Sequence, residues 1–235
     1  MKAVSRTHIG KVRSSNQDAL LVVPGVYGVY GVADGMGGHK AGDVASRLAV
    51  SQLEKVLKGK RPTESMLRGG IESANRVIYD AQMQNTDYSG MGTTMTVIWE
   101  GKKRVLLGHV GDSRAYFLRD GILEQISQDH SMVAELVRDG LLTPEEARVH
   151  PYRNIITRAL GASEGVMVDT LQMDKEVGDR YLICSDGLSE YVPDEKMREI
   201  LTEMDLEEAA DLLLSLALDG GGRDNISLVI TEVTA

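Results

Sequence analysis

Aromatic residues are scarce in this chain, and Trp99 and Phe117 are the single residues of their kinds. A core must therefore be assembled from Val, Ile, Leu, Met and Ala. That is feasible, because apolar residues make up 42% of the 235 positions. Cysteine is nearly missing too. Cys184 has no partner, which excludes an internal disulfide and any cysteine-built zinc site, and fits a reducing compartment. No run of Lys or Arg occurs and the formal net charge is -9, so the basic stripe that grips nucleic-acid phosphates is lacking. The acidity reads first as solubility. The greasiest stretch, 212–218, is too short to cross a bilayer. Residues 1–8 carry no apolar core like that of a signal peptide, and a cytoplasmic location without membrane attachment is expected.

Apolar or alternating runs predict strands at 19–23, 27–33, 93–100, 104–110, 114–119, 122–126, 166–173, 180–185 and 226–233. Asp120-Gly121 between two of these runs is a strong short-range hairpin signal. Helical spacing occupies 42–57, 63–84, 131–139, 193–204 and 206–218. Thr143-Pro144-Glu145-Glu146 supplies a cap residue, Pro at the first helical position and Glu three after the cap, so a short helix is expected from there to about residue 150. Strict strand–helix alternation is lacking. The expected fold class is therefore α+β, with antiparallel sheets covered by helices on their outer faces. No linker or repeat divides 1–235, so a single domain is the simplest organisation. The stretch 128–160 is the least strand-like in the middle of the chain and reads as an insertion or flap beside a cleft.

Four aspartates share a setting. Asp34, Asp112 and Asp186 follow an apolar run and precede Gly or Ser, and Asp224-Asn225 immediately precedes one. Such a carboxylate is held rigidly while facing a cleft, and a following Gly lets its own carbonyl approach an ion. Oxygen ligands without His or Cys suit hard cations such as Mg²⁺ or Mn²⁺. Each Asp-Gly is equally at home as an ordinary turn. On pattern alone both readings stand.

The wording of the segments goes further. Arg13-Ser14-Ser15-Asn16-Gln17-Asp18, Val32-Ala33-Asp34-Gly35-Met36-Gly37-Gly38-His39 and Gly92-Thr93-Thr94 come first along the chain. Gly108-His109-Val110-Gly111-Asp112-Ser113-Arg114, Asp129-His130-Ser131, Ser185-Asp186-Gly187 and Gly222-Arg223-Asp224-Asn225 follow in order. Together they resemble the bacterial branch of the protein phosphatase 2C family, the metal-dependent Ser/Thr protein phosphatases. The resemblance implies a four-layer α/β/β/α sandwich with two central antiparallel sheets. It implies Mn²⁺ or Mg²⁺ as cofactor, two core ions and a weaker third. By similarity Asp34 bridges the core ions, the Gly35 carbonyl binds one of them, and Asp186 and Asp224 complete the other. Asp112, with Asp186, would hold the outer ion. Asp18 would act through bound water, Arg13 would grip the substrate phosphate, and Asn225 would support the site from behind. The implied reaction is in-line attack on phosphorus by a hydroxide that the two cations supply. Phosphorylated proteins are the implied substrates, a Ser/Thr kinase the opposing enzyme, and a monomer is expected.

Some residues leave room for other roles. His39 lies four positions beyond Gly35 and is either a proton donor to the leaving group or a loop histidine facing solvent. His109 falls within a strand run, where a satisfied core or supporting role is favoured. Cys184 lacks the Arg six positions on that a cysteine-dependent phosphatase loop needs, since that position is Glu190, and it reads as a small buried residue. Met36 and Met91 flank glycines and either line a substrate surface or fill gaps. A phosphohydrolase on a His-Asp pair is disfavoured because the dipeptide is reversed as Asp129-His130. A dead-site scaffold is disfavoured because Asp34, Asp186 and Asp224 are all present. A calcium loop is disfavoured because no twelve-residue segment carries oxygen ligands at alternate positions.

Overall fold

Both faces of the central strands are apolar, and this decides the architecture. In Val29–Met36 (β3), Val29 and Ala33 point to one side while Tyr30 and Val32 point to the other, and all four are fully buried. A strand buried on both faces needs a partner layer on each. A computed structural model of the chain describes residues 1–37 and 41–235 and supplies both layers.

One sheet has six strands. Asp18–Val23 (β2), β3, Met95–Glu100 (β5), Arg104–Val110 (β6) and Asp169–Asp174 (β9) run in the order β2-β3-β5-β6-β9, and the two-residue Gly92–Thr93 (β4) pairs onto β3. The second sheet has five strands. Lys2–His8 (β1), Ile226–Glu232 (β11), Arg180–Cys184 (β10), Arg114–Arg119 (β7) and Ile122–Gln125 (β8) run in the order β1-β11-β10-β7-β8. Every pairing is antiparallel. Tyr30, Ile98, Leu107, Tyr181, Ile183 and Val229 form the layer between the sheets.

Helices cover the outside. Ala41–Leu57 (α1) and Glu64–Gln84 (α2) pack Leu53, Leu67 and Ile71 against Val97, Trp99 and Leu106 of the six-stranded sheet. Asp194–Glu203 (α6) and Leu206–Asp219 (α7) pack Ile200 and Leu213 against Leu182, Leu228 and Ile230 of the other. Each such side chain, fully buried, contributes about 1.5–3 kcal/mol before the cost of ordering it. The expected four-layer α/β/β/α sandwich is what the chain forms. No described helix is long and apolar enough to cross a membrane.

Local signals hold where they are strong. Asp120 and Gly121 take φ of 52° and 75°, joining β7 to β8 through a tight hairpin. Thr143 and Glu146 cap Pro144–Val149 (α4) reciprocally, with the Glu146 N–H donating to Thr143 Oγ1 at 3.2 Å and the Thr143 N–H to Glu146 Oε2 at 2.8 Å. Met132–Arg138 (α3) and α4 are the regular elements of 128–160, whose two ends are tied together by the bridge Ser131–Ile156.

Three sequence expectations need correction. β1 was not expected at all, because Lys2-Ala3-Val4-Ser5-Arg6-Thr7-His8 is a sheet edge with no clean alternation, and β11 alone holds it in the sheet. β3 extends to Met36 rather than ending at residue 33, because β4, from 56 residues further along the chain, pairs with Gly35 and Met36. Asp34 therefore lies inside a strand. β10 also stops at Cys184 rather than at residue 185, because Ser185 takes the N-cap position of the short helix Asp186–Ser189 (α5).

Candidate metal centre

Five carboxylates from five segments converge at one end of the inter-sheet layer. Asp34 sits on β3 and Asp18 directly opposite it at the start of β2. Asp112 lies in the β6–β7 turn, Asp186 opens α5, and Asp224 precedes β11.

Each is held by neighbours whose chemistry explains their presence. The Asp34 N–H donates to Thr94 Oγ1 at 2.8 Å, while the Asp34 carbonyl accepts from the Thr94 N–H at 2.9 Å and the Thr93 hydroxyl at 2.8 Å. The Thr94 hydroxyl is also 2.8 Å from that of Ser113, next to Asp112. Ser185, beside Asp186, donates its hydroxyl to Asp18 Oδ2 at 2.9 Å and accepts from the Ser227 N–H at 3.0 Å. Asn225 accepts from the Gln17 N–H at 2.8 Å and donates to the carbonyls of Ile9 at 2.9 Å and Ser15 at 3.0 Å. It thus straps the 9–17 loop beside Asp224.

Gly35 is required by close approach. A Cβ there would lie 2.1 Å from the Gly42 carbonyl oxygen and 2.5 Å from that of Gln17. The Gly35 N–H donates to the same Gln17 carbonyl at 3.1 Å.

The charges are crowded. Burial pushes the Asp34 carboxyl well above the usual carboxylate range, and the negative charges of Asp18, Asp186, Asp112 and Asp224 push it further. Asp186 is raised in the same way, by burial first and then by Asp112 and Asp224. Burial also lifts Asp18 and Asp112 to about 6, against hydrogen bonds from Ser227 and Ser185 in the first case and with repulsion from Asp129 in the second. Among the described residues, no hydrogen-bond partner reaches the buried Asp18 Oδ1 or Asp186 Oδ1. An orphaned carboxylate oxygen surrounded by like charge is a strained arrangement in protein alone, and divalent cations relieve it. Among the described residues no three His, Cys, Asp or Glu side chains close on a single point. The donor set therefore suits ions that take one or two carboxylates each and complete their shell with water and backbone carbonyls, which is the habit of Mg²⁺ and Mn²⁺.

Arg13 brings a positive charge to this centre. Its Nη2 donates to Asp224 Oδ2 at 2.5 Å, and its side chain remains half exposed. Asp224, and more weakly Asp34 and Asp186, hold its guanidinium firmly protonated. From Asp112 and Asp186 a cavity of about 990 Å³ runs outward beneath 128–160, past Glu190, Arg153 and Val137.

Other expected residues fall into place without joining the centre. His109 is fully buried, with Nδ1 2.9 Å from the Thr96 hydroxyl and Nε2–H donating to the Gln128 carbonyl at 3.0 Å. Cys184 is buried among apolar groups, which push its thiol up to about 12 and rule out a thiolate nucleophile. Met91 fills a gap in the helix-facing core. His39 lies outside the described residues. Two groups went unread in the sequence. Arg114 donates to Asp129 through Nε at 2.9 Å and Nη2 at 2.7 Å, a partly buried pair at the cavity floor. Thr94 and Ser185 pin the carboxylates. Their motifs were visible, but a hydroxyl's partner is set by the fold.

Fold and site together define a class: a four-layer antiparallel sandwich with an all-oxygen acidic centre at one end of its two sheets. Comparison with known proteins narrows the class. The pattern of the protein phosphatase 2C family matches residues 6–213. The chain is 42% identical to the serine/threonine protein phosphatase PstP of Mycobacterium tuberculosis, over 99% of its own length and 45% of that protein's. It is 39% identical to the serine/threonine phosphatase stp of Listeria monocytogenes, over 99% of this chain and 96% of that one. A crystal structure of the catalytic domain of PstP in complex with two manganese ions superposes with a TM-score of 0.91 at 39% identity, covering 100% of this chain and 98% of that one. The chain belongs to the protein phosphatase 2C family. It spans about half the length of the PstP protein it matches and nearly the whole of the Listeria one.

Proposed function

We propose that the chain is a metal-dependent protein serine/threonine phosphatase that hydrolyses phosphoserine and phosphothreonine monoesters in proteins. The observation that carries the reading is the clustering of the mutually repelling Asp18, Asp34, Asp112, Asp186 and Asp224, with buried oxygens of Asp18 and Asp186 that no group among the described residues satisfies. Asp34, the Gly35 carbonyl, Asp186 and Asp224 would hold two core Mn²⁺ or Mg²⁺ ions. Asp112, with Asp186, would hold a weaker third. When bound, such ions lower the pKa of coordinated water and take up charge on phosphoryl oxygens.

The chain's own residues do the rest. Arg13 would bind the phosphate, a role supported by a guanidinium fork that matches two phosphoryl oxygens and of which, among the described residues, Asp224 engages one nitrogen. Asp18 orients water through its free Oδ1, while Ser185 fixes its other oxygen. Asn225 keeps Arg13 and Asp224 in register by strapping the 9–17 loop. The substrate polypeptide would lie along the cavity, with 128–160 as its flap. The chain's place would be the reducing cytoplasm, which the free buried Cys184 fits, and it would act as a monomer opposing a Ser/Thr kinase.

The test is release of phosphate from a phosphothreonine peptide. Mn²⁺ should support turnover, EDTA should abolish it, and Asp186→Asn should lower kcat by 10²-fold or more. Full turnover in EDTA would sink the reading.

A further inference from the structure

Beside the acidic centre lies a buried histidine pair that the proposed reaction does not use. His109 and His130 stack with ring centroids 4.8 Å apart and are 0% and 3% exposed. Burial lowers the proton affinity of both, so each is neutral near pH 7. A neutral imidazole has one donor nitrogen and one acceptor nitrogen, and its neighbours decide which is which.

For His130 the neighbours leave one choice. The Gly111 N–H donates to Nδ1 at 3.0 Å, and an amide N–H does nothing but donate. The proton therefore sits on Nε2, which donates to Asp169 Oδ2 at 3.0 Å. Asp169 is aimed by Arg158, whose Nη1 donates to the other carboxylate oxygen at 2.7 Å. The backbone closes the arrangement, since the His130 N–H donates to the Gly111 carbonyl at 2.8 Å. One residue thus grips both the N–H and the carbonyl of Gly111, where the chain turns with φ 116° into Asp112. The His130 carbonyl in turn accepts from the Thr157 N–H at 2.8 Å, so the same residue joins both ends of 128–160.

We propose that His130, kept in its Nε2–H tautomer by Asp169, is a positioning residue that fixes the Gly111–Asp112 turn and so holds the Asp112 carboxylate on its cation. The proposal rests on the reading of Asp112 as a ligand of the outer ion. His130 is buried with both nitrogens occupied, so it acts through Gly111 and not on substrate. Asp169 lies on β9 and tunes the centre from outside it.

Asp169→Asn is the diagnostic variant, nearly isosteric and 38% exposed at its side chain in the wild type. Arg158 demands an oxygen, so the new amide would turn its NH₂ toward His130 Nε2. That moves the imidazole proton to Nδ1, where it opposes the Gly111 N–H. The measurements are ¹⁵N NMR of the imidazoles and calorimetric titration of the purified chain with Mn²⁺, beside Asp112→Ala. Asp169→Asn should shift the His130 proton to Nδ1 and weaken by about tenfold the binding step that Asp112→Ala abolishes, with the tighter steps unchanged. His130→Asn, whose Oδ1 accepts from Gly111 whatever Asp169 is, should keep that step near wild type, and adding Asp169→Asn to it should change nothing. If Asp112→Ala removes the step while Asp169→Asn and His130→Ala leave it intact, the positioning role is overturned and the Asp112 reading stands. If Asp112→Ala leaves the titration unchanged, the Asp112 reading fails and the proposal falls with it.

Discussion

Asp18 and Asp34 face one another across the β2–β3 ladder, two carboxylates at directly paired positions of adjacent antiparallel strands. Like charges opposite one another destabilise a sheet. Here burial adds to the repulsion, and both carboxyls hold their protons above the ordinary range. The pair is intelligible as a site for cations and not as a contribution to the fold.

A pH dependence follows for the protein held in EDTA. The folded Asp18, at about 6, retains a proton that the unfolded chain has lost above about 4. The folded state then binds more protons, so this group's contribution to stability falls as pH rises from about 4 to about 6. The expected loss is on the order of 1–3 kcal/mol. Denaturant unfolding at pH 4, 5, 6 and 7 should show Asp18→Asn gaining on the wild type by that amount across the window. A constant difference between the two proteins would contradict the assignment.

Arg13→Lys keeps the charge and removes the fork. On a phosphothreonine peptide, kcat/KM should fall about 10- to 100-fold, or about 1.4–2.7 kcal/mol of transition-state stabilisation. Affinity for Mn²⁺ should stay within about threefold of wild type, because Arg13 is not an ion ligand. Equal losses in both would place Arg13 in the support of Asp224 and not on the substrate.

Asp112→Ala should leave the tight Mn²⁺ binding proposed for Asp34, Asp186 and Asp224 intact and slow turnover by about tenfold or more. Calorimetry and kinetics on the same preparation separate the two effects. Disappearance of tight binding would show that Asp112 belongs to the core.

Gly35→Ala tests the packing beneath the centre. The added Cβ would meet two backbone oxygens, at 2.1 Å and 2.5 Å, and backbone cannot yield as a flexible side chain does. The expected cost is about 3 kcal/mol or more, read as a lowered midpoint of denaturant unfolding. A variant as stable as wild type would mean that β3 and α1 can separate there.

Much of the architecture was legible because its signals are local. Asp120-Gly121 specified a hairpin through φ preferences that act within two residues, and Thr143 with Glu146 specified a helix start within one turn. The apolar runs around Tyr30 and Ile183 announced strands, and the fold buries both residues in the layer between the sheets. β1 was invisible because an edge strand needs no strong pattern when a neighbour such as β11 supplies the ladder. The extension of β3 was invisible for a related reason, as it depends on Gly92–Thr93 arriving from across the chain.

The same division runs through the site. The sequence alone singled out which residues could supply oxygen ligands: Asp34, Asp112, Asp186 and Asp224 beside Gly, Ser or Asn, in an order that resembles one family. That information is chemical identity and spacing, and it survives without coordinates. The tertiary structure decided what those carboxylates feel, because burial and mutual repulsion depend on segments up to 190 residues apart, from Asp34 to Asp224, coming near enough for their charges to act on one another. It alone set Asp18 opposite Asp34, left Asp186 Oδ1 without a partner among the described residues, and made Asp129-His130, read in sequence only as part of a motif, into an anchor for Arg114 and a clasp on Gly111. Hydrogen bonds and charges act over ångströms in space, and no local pattern records which distant groups will come within that range.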